Sequence, residues 1–292
     1  MSIPAISMLA GNPAGIGFWS HDRVAGLMPV FFPGIRVHTG PRVSGKDYGT
    51  LLLMAGSFRS ALQGFLSRVP ERIGYATDMR RILLTRPLKP PGSREHHHSL
   101  DYLRLAEVAG GSGTPHVPAP AVEPSSTPHA ALFPGARYGG AKRWPGFREL
   151  AFRLTKETGL KTVLYGSADE REYLLNLASG IECCSAASGL DIPGLAAALM
   201  GSVLTVGNDS GGVHLAAALG IPTVTIFGST SPEWTAPMGR HAARVTAGLE
   251  CSPCYRRNCP RGEAECLRRI SAGEVLNESL ALLKRSGEYG NA

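Results

Sequence analysis

The chain has 292 residues, a formal net charge of +7, 43% hydrophobic and 18% charged residues. That length suits two domains of ordinary size, and the composition excludes a disordered chain. Its apolar runs are too short for a transmembrane helix, and its first residues do not read as a secretory signal. The basic balance favours anionic partners (nucleotides, nucleic acid or an acidic membrane surface) over neutral ones, or describes a modestly basic solvated surface. Without a signal, the six cysteines imply a reducing compartment and no obligatory disulfides.

In chain order, residues 2–10 read as a short helix and 15–19 as a strand. Residues 50–54 form an apolar strand followed by a helix around 59–66, and 72–75 a further short strand. Residues 99–108 read as helical. A Gly/Pro/Ser-rich stretch then marks a linker, placed at 113–128. It separates a first domain, 1–112, from a second, 129–275, with a helix or tail over 276–292. In the second domain strands are expected at 131–133, 162–165, 202–206 and 223–227. Helices are expected at 145–155, 169–177, 192–200 and 212–219, with Pro145 in a first turn. Strands alternating with helices predict parallel sheets covered on both faces. The expected architecture is α/β, with two Rossmann-like domains facing a cleft.

The most informative stretch is Gly207-Asn208-Asp209-Ser210-Gly211-Gly212-Val213-His214. A strand, a polar glycine-rich turn and a helix start make an anion site, because free N–H groups and the helix dipole point at the ligand. Asp209 or Ser210 is expected to cap that helix, and Gly211 and Gly212 to let a ligand approach the backbone. His214, one turn in, reads equally as a ligand contact or a structural residue. A second loop, Pro134 to Pro145, carries Tyr138, glycines and Lys142; it lacks P-loop spacing and reads as a phosphate cradle or an ordinary turn. A third, with Ser167, Asp169 and Glu170, favours a helix cap by itself; three loops on one sheet edge strengthen a ligand reading. The hydroxyls of Ser229-Thr230-Ser231 close the pocket or simply make a turn.

Ser57, Arg59, Arg72 and Tyr75 in the first domain are candidates for an acidic acceptor, each weighed against a surface role. The adjacent His96, His97 and His98 splay apart and favour a solvated loop over one metal site, with His98 and Asp101 able to face the cleft. Cys251, Cys254, Cys259 and Cys266 have the spacing C-x2-C-x4-C-x6-C. They suit reduced thiols better than a tetrahedral zinc site, whose later spacings are atypical. Arginines around them suggest a nucleic-acid-binding knuckle, but a single aromatic, Tyr255, weakens that idea.

Four segments together resemble the ADP-heptose:lipopolysaccharide heptosyltransferases, glycosyltransferase family nine, and most of all its type II members. They are Asn208–Pro222 with Phe227-Gly228 and Ser231-Pro232; Pro134-Gly135-Ala136 with Lys142-Arg143-Trp144-Pro145; Ser57-Phe58-Arg59 with Arg72-Ile73-Gly74-Tyr75; and the cysteine run. The resemblance implies a GT-B fold and a cytoplasmic enzyme, peripheral on the inner leaflet of the inner membrane of a Gram-negative cell. It implies inverting transfer from ADP-heptose to a heptosyl-Kdo–lipid A acceptor, with no metal or other cofactor required and no nucleic-acid partner. Lys142, Asp209, Ser210, Gly211, Gly212, His214, Tyr138 and Ser167 are carried over to donor binding, and Ser57, Arg59, Arg72 and Tyr75 to the acceptor. The family's base, an Asp after a Gly in the loop behind the first strand, has no counterpart here, and its catalytic position is unassigned. Asp101 and Asp22 are the substitutes on offer. The first strand itself is expected to be missing ahead of the 2–10 helix. The chain beginning at Met1 is then expected to be inactive or poorly folded, and the alternative function is a nucleotide-sugar-binding relative with impaired catalysis.

Overall fold

The computed structural model describes residues 1–11, 15–92, 94–137 and 140–287. The chain divides into two units, Met1–Ala121 and Val122–Ala292.

The first unit runs α1 (Ile3–Leu9), β1 (Gly17–Trp19), α2 (Asp22–Ala25), α3 (Leu27–Phe31), β2 (Arg36–His38), β3 (Thr50–Leu53), α4 (Phe58–Leu66), β4 (Glu71–Tyr75), β5 (Arg86–Leu88) and α5 (Ser99–Val108). Its strands pair in parallel but fall into two sheets, β1-β2 and β3-β4-β5. α1 buries Ile3, Ala5 and Ile6 and packs against α5. Two small clusters hold the three-stranded sheet to its helices, one around Leu53, Ala61, Leu83 and Leu84, the other around Ile73, Tyr75 and Leu105. β2 and β5 were not expected. Each is three residues long, and Pro87 interrupts the second, so neither shows an apolar run or an alternation.

The second unit continues with β6 (His129–Phe133), α6 (Phe147–Thr158), β7 (Lys161–Gly166), α7 (Arg171–Ala178), β8 (Cys184–Ser188) and α8 (Ile192–Leu199). β9 (Ser202–Asn208), α9 (Gly211–Ala218), β10 (Thr223–Phe227), α10 (Pro232–Thr235), β11 (Ala242–Thr246), α11 (Glu265–Arg268) and α12 (Ala272–Ser286) complete it. Its six strands form one parallel sheet in the order β11-β10-β9-β6-β7-β8. β6 and β10 are buried at every position, as expected of strands covered on both faces. Leu132, Leu164, Leu204, Val206, Val224 and Ile226 pack with Phe147 and Leu150 of α6 and Val275, Leu276 and Leu283 of α12. The C-terminal helix thus starts at Ala272, before the expected position 276, and belongs to this core. A capping box fixes its start: Ser271 Oγ accepts from Glu274 N–H at 3.2 Å, and Ser271 N–H donates to the Glu274 carboxylate at 2.7 Å.

Pro145 lies outside α6, contrary to the expected start. The buried Trp144 ring lies over Gly146, where a Cβ would overlap it, and the indole Nε1–H donates to Ile270 O at 2.9 Å. That anchor holds the chain off the helix path until Phe147. Among the described residues no helix is long and apolar enough to cross a membrane.

Candidate functional site

In the strand order of the second unit, β6 and β9 are neighbours from which the chain winds in opposite directions. Loops at the carboxyl ends of such a pair flank the crevice where open α/β sheets bind ligands. The loop behind β6 brings Lys142 there, and the turn behind β9 brings Asp209 and the start of α9.

Asn208, the last residue of β9, is fully buried and ties the two loops together. Its Nδ2 donates to Pro134 O at 2.8 Å, and its Oδ1 accepts from Trp144 N–H at 3.1 Å. All its partners are backbone groups of the β6 loop, so the geometry of that loop is set from β9. Next in the chain, Asp209 is 8% exposed. Its Oδ2 accepts from Lys142 Nζ at 2.7 Å and from Thr230 Oγ1 at 2.7 Å, and His214 Nε2 lies 3.4 Å from Oδ1. Burial pushes this carboxyl up, but His214, the Lys142 charge and hydrogen bond and the Thr230 hydroxyl outweigh it and hold the pKa at about 2. The 2.7 Å lysine contact is much the shorter of the two approaches. Asp209 is therefore an anion at neutral pH that positions a half-buried ammonium beside the α9 N-terminus.

Two expectations about this turn are corrected. Neither Asp209 nor Ser210 caps α9 through its side chain: Ser210 occupies the N-cap position with no such bond, and the Asp209 carboxylate is engaged with Lys142 and Thr230. The orphan N–H groups of the first turn are left for another acceptor. The two glycines also divide their work. A Cβ at Gly212 would overlap the Phe133 ring, so its missing side chain serves packing. A Cβ at Gly211 meets nothing within 4 Å, so only this glycine faces open space.

Ser167, behind β7, donates from its N–H and Oγ to Glu170 Oε2 at 3.0 and 3.1 Å. The capping role is therefore real. It also holds the Glu170 carboxylate against Gly135 and Gly166, with Arg143 at 3.6 Å, on the same sheet edge. Tyr138 falls outside the described residues. Asn208, Thr230 and Glu170 lie in stretches the sequence had marked, as part of the glycine-rich turn, a pocket-closing or turn hydroxyl and a helix cap, but none had been named as a donor-binding residue.

The acceptor candidates do not assemble into one pocket wall. Arg72 spends its guanidinium on the fold: Nε donates to Leu83 O at 2.9 Å, Nη1 to Val69 O at 2.6 Å, and the group stacks over Phe65. Tyr75 is buried, with its hydroxyl donating to Asp101 O at 2.9 Å. Ser57 Oγ caps α4 by accepting from Ser60 N–H at 3.2 Å. Arg59 stays exposed on α4, its guanidinium uncommitted to the fold among the described residues. A buried arginine that sequence reading missed, Arg80, donates to Tyr75 O at 2.7 Å and to Ala55 O, cross-linking the ends of β3 and β4.

His96 Nε2 and His98 Nδ1 both approach the Asp101 carboxylate, at 2.8 and 2.7 Å, while His97 pairs with Ser99 Oγ. Asp22 is exposed on α2. The cysteines share one neighbourhood. Burial pushes the Cys266 thiol up, and Cys254, Cys251 and Cys259 push it further. Even so, among the described residues no group of three His, Cys, Asp or Glu side chains is placed to hold a metal ion.

The doubly wound unit with a lysine and a helix start at its switch point, preceded by a smaller parallel α/β unit, defines a GT-B glycosyltransferase fold. The solved structure of E. coli ADP-heptose lps heptosyltransferase II matches it with a TM-score of 0.80, at 23% identity over 98% of this chain and 95% of that one. Lipopolysaccharide heptosyltransferase 2 of Salmonella typhimurium is 30% identical over 87% of this chain and 81% of its own length. Lipopolysaccharide heptosyltransferase 1 of Pseudomonas aeruginosa is 34% identical, over 59% of this chain and 48% of the relative, about half its length. Residues 36–265 match the model of glycosyltransferase family 9 (heptosyltransferase), and the chain belongs to that family of enzymes.

Proposed function

We propose that the chain transfers heptose from ADP-heptose to a heptosyl-Kdo–lipid A acceptor in lipopolysaccharide inner-core synthesis, with inversion and without a metal. The observation that carries this reading is the Lys142–Asp209 pair, 2.7 Å apart, beside the open α9 N-terminus. The donor diphosphate would lie at that helix start, against Gly211 and the Lys142 ammonium, with His214 one turn along. Ser167 and Glu170, at the end of β7, suit the ribose hydroxyls that a carboxylate at this edge recognises in doubly wound folds.

In the reaction the acceptor oxygen forms its bond to the anomeric carbon as that carbon's bond to the diphosphate oxygen breaks. The electron pair leaves with ADP, and the acceptor proton passes to a base. Lys142 and the helix dipole stabilise the charge arriving on the diphosphate. Asp209 holds the lysine in place, a positioning role that costs no reorganisation during the step. Of the acceptor candidates Arg59 keeps its place, as an exposed cation suited to phosphate or carboxylate. The acceptor is anchored in a bilayer, so the enzyme works at a membrane surface.

The test is transfer from ADP-heptose to detergent-solubilised heptosyl-Kdo–lipid A in the presence of EDTA, with the product anomer read by NMR. Inverted product supports the reading; product formed only with added metal overturns its metal-independent part. A second reading, a nucleotide-sugar-binding relative without transfer, is favoured by one observation. The substitute base Asp101 has both carboxylate oxygens engaged by His96 and His98. Tight ADP-heptose binding with no product would establish that reading instead.

A further inference from the structure

α4 is built the wrong way round for a helix that packs a protein core. Its small residues face the sheet: Ala61 is fully buried, and a Cβ at Gly64 would come within 2.7 Å of Leu51 Cδ2. Its large apolar residues, Phe58, Leu62, Phe65 and Leu66, are exposed. They recur at the spacing of one helix face. A surface helix ordinarily turns that face inward.

The neighbouring turn extends the same surface. Met79 and Ile82 are 90% and 83% exposed, the largest values among the exposed apolar side chains. Asp78 and Met79 have φ of 47° and 54°. That left-handed backbone is rare for non-glycine residues and turns the chain outward here. The turn is fixed to the helix rather than loose. Asp78 Oδ2 accepts from Phe58 N–H at 2.6 Å, Thr77 Oγ1 donates to Gly56 O at 2.6 Å, and buried Arg80 reaches back to Ser60 Oγ at 3.2 Å. Arg59, Arg68 and Arg81 lie exposed along the same elements and form no ion pair among the described residues. The acidic groups nearby are occupied: Asp78 by the α4 start, and Glu71 by Thr50 and Arg86.

An apolar stripe rimmed by unpaired arginines has the chemistry of an interfacial helix on an anionic bilayer. We propose that the outer face of α4 and the 78–82 turn dock the chain on an anionic lipid surface. Phe58, Leu62, Phe65, Leu66, Met79 and Ile82 enter the headgroup region, while Arg59, Arg68 and Arg81 meet lipid phosphates. The proposal deepens the membrane-anchored acceptor reading and rests on it for its setting.

The experiment is co-sedimentation of the full chain with phosphatidylglycerol and with phosphatidylcholine vesicles, without donor or acceptor. Binding is expected to phosphatidylglycerol and not phosphatidylcholine. It should weaken about fivefold for each charge removed in Arg68→Gln and Arg81→Gln, and at least tenfold in the double variant Met79→Ser/Ile82→Ser. That double variant changes exposed side chains and should keep ADP binding, which reports that the second unit is folded. Equal sedimentation of parent and double variant, or no binding to either vesicle, overturns the proposal. So does a parent dimer in light scattering that the double variant dissolves, because the face would then be covered by a second copy. Transfer to detergent-solubilised acceptor, measured alongside, fails only if the transferase reading is wrong.

Discussion

Replacing Asp209 with Asn tests whether the site is held together by one charge. The substitution keeps the shape but leaves the Lys142 ammonium, 13% exposed in its side chain, without its counter-ion. Holding the carboxyl at about 2 instead of its ordinary 3.8 is worth about 2 kcal/mol of folding stability at neutral pH. The sign follows from the depressed pKa. The contribution is complete above about pH 4, where the unfolded chain is also ionised, and it is lost as pH falls through about 2. Parent and Asp209→Asn should therefore differ by about 2 kcal/mol at pH 7 and converge towards pH 2. Denaturant unfolding in a Trp19→Phe background reads the second unit through Trp144, which is 1% exposed, and Trp234, both in that unit. A gap that is absent at pH 7, or that stays constant down to pH 2.5, would refute the account of Asp209 as a buried, lysine-paired anion.

Lys142→Met should lower ADP affinity by about 10- to 100-fold, the value of a charge-assisted hydrogen bond to phosphate; unchanged affinity by calorimetry would remove the lysine from the donor site. Gly212→Ala should cost about 1–3 kcal/mol of stability through the Phe133 ring. Gly211→Ala, with nothing within 4 Å of its Cβ, should leave the melting temperature in place and weaken ADP binding; the reverse pattern would overturn the division between them. Arg72→Met should destabilise the first unit by about 2 kcal/mol through three lost carbonyl contacts, without moving the acceptor KM. Arg59→Met should do the opposite, raising KM at unchanged stability.

Much of the second unit was legible in the sequence because its central strands are covered on both faces and so write themselves as apolar runs. β10 is buried throughout and was placed residue for residue. Its edge strands were not read: β8 is Cys-Ser-Ala-Ala-Ser and β11 alternates exposed and half-buried positions, so neither carries a run. Helix α5 was placed residue for residue as well, whereas α6 was started too early because Pro145 signals a first turn only when nothing else holds the chain. What held it, the Trp144 indole, bonds to Ile270, a residue 126 positions away. Local sequence carries no trace of such a contact.

The site divides along the same line. Its loops were legible, since glycine-rich turns behind apolar strands have a local cause. Its pairings were not. Lys142 and Asp209 are 67 positions apart, and only the crossing from β6 to β9 makes them neighbours. Without that crossing an Asp before a helix reads as a cap, which is the role it was assigned and does not fill. The same holds for Arg72, Arg80 and Arg59. Arg59 and Arg72 read alike as candidates for an acidic acceptor and Arg80 was not singled out, yet Arg72 is stacked and bonded to carbonyls, Arg80 is buried as a cross-link, and Arg59 is exposed. Residue type fixed what each side chain is able to bind. Which partner it found depended on the carbonyls around the ends of β3 and β4: Arg72 reaches those of Val69 and Leu83 and Arg80 those of Tyr75 and Ala55, while Arg59 stays exposed on α4. That is why the basic residues of the first unit support an anionic-surface reading through Arg59, Arg68 and Arg81, and why Arg72 and Arg80 belong to the scaffold beneath it.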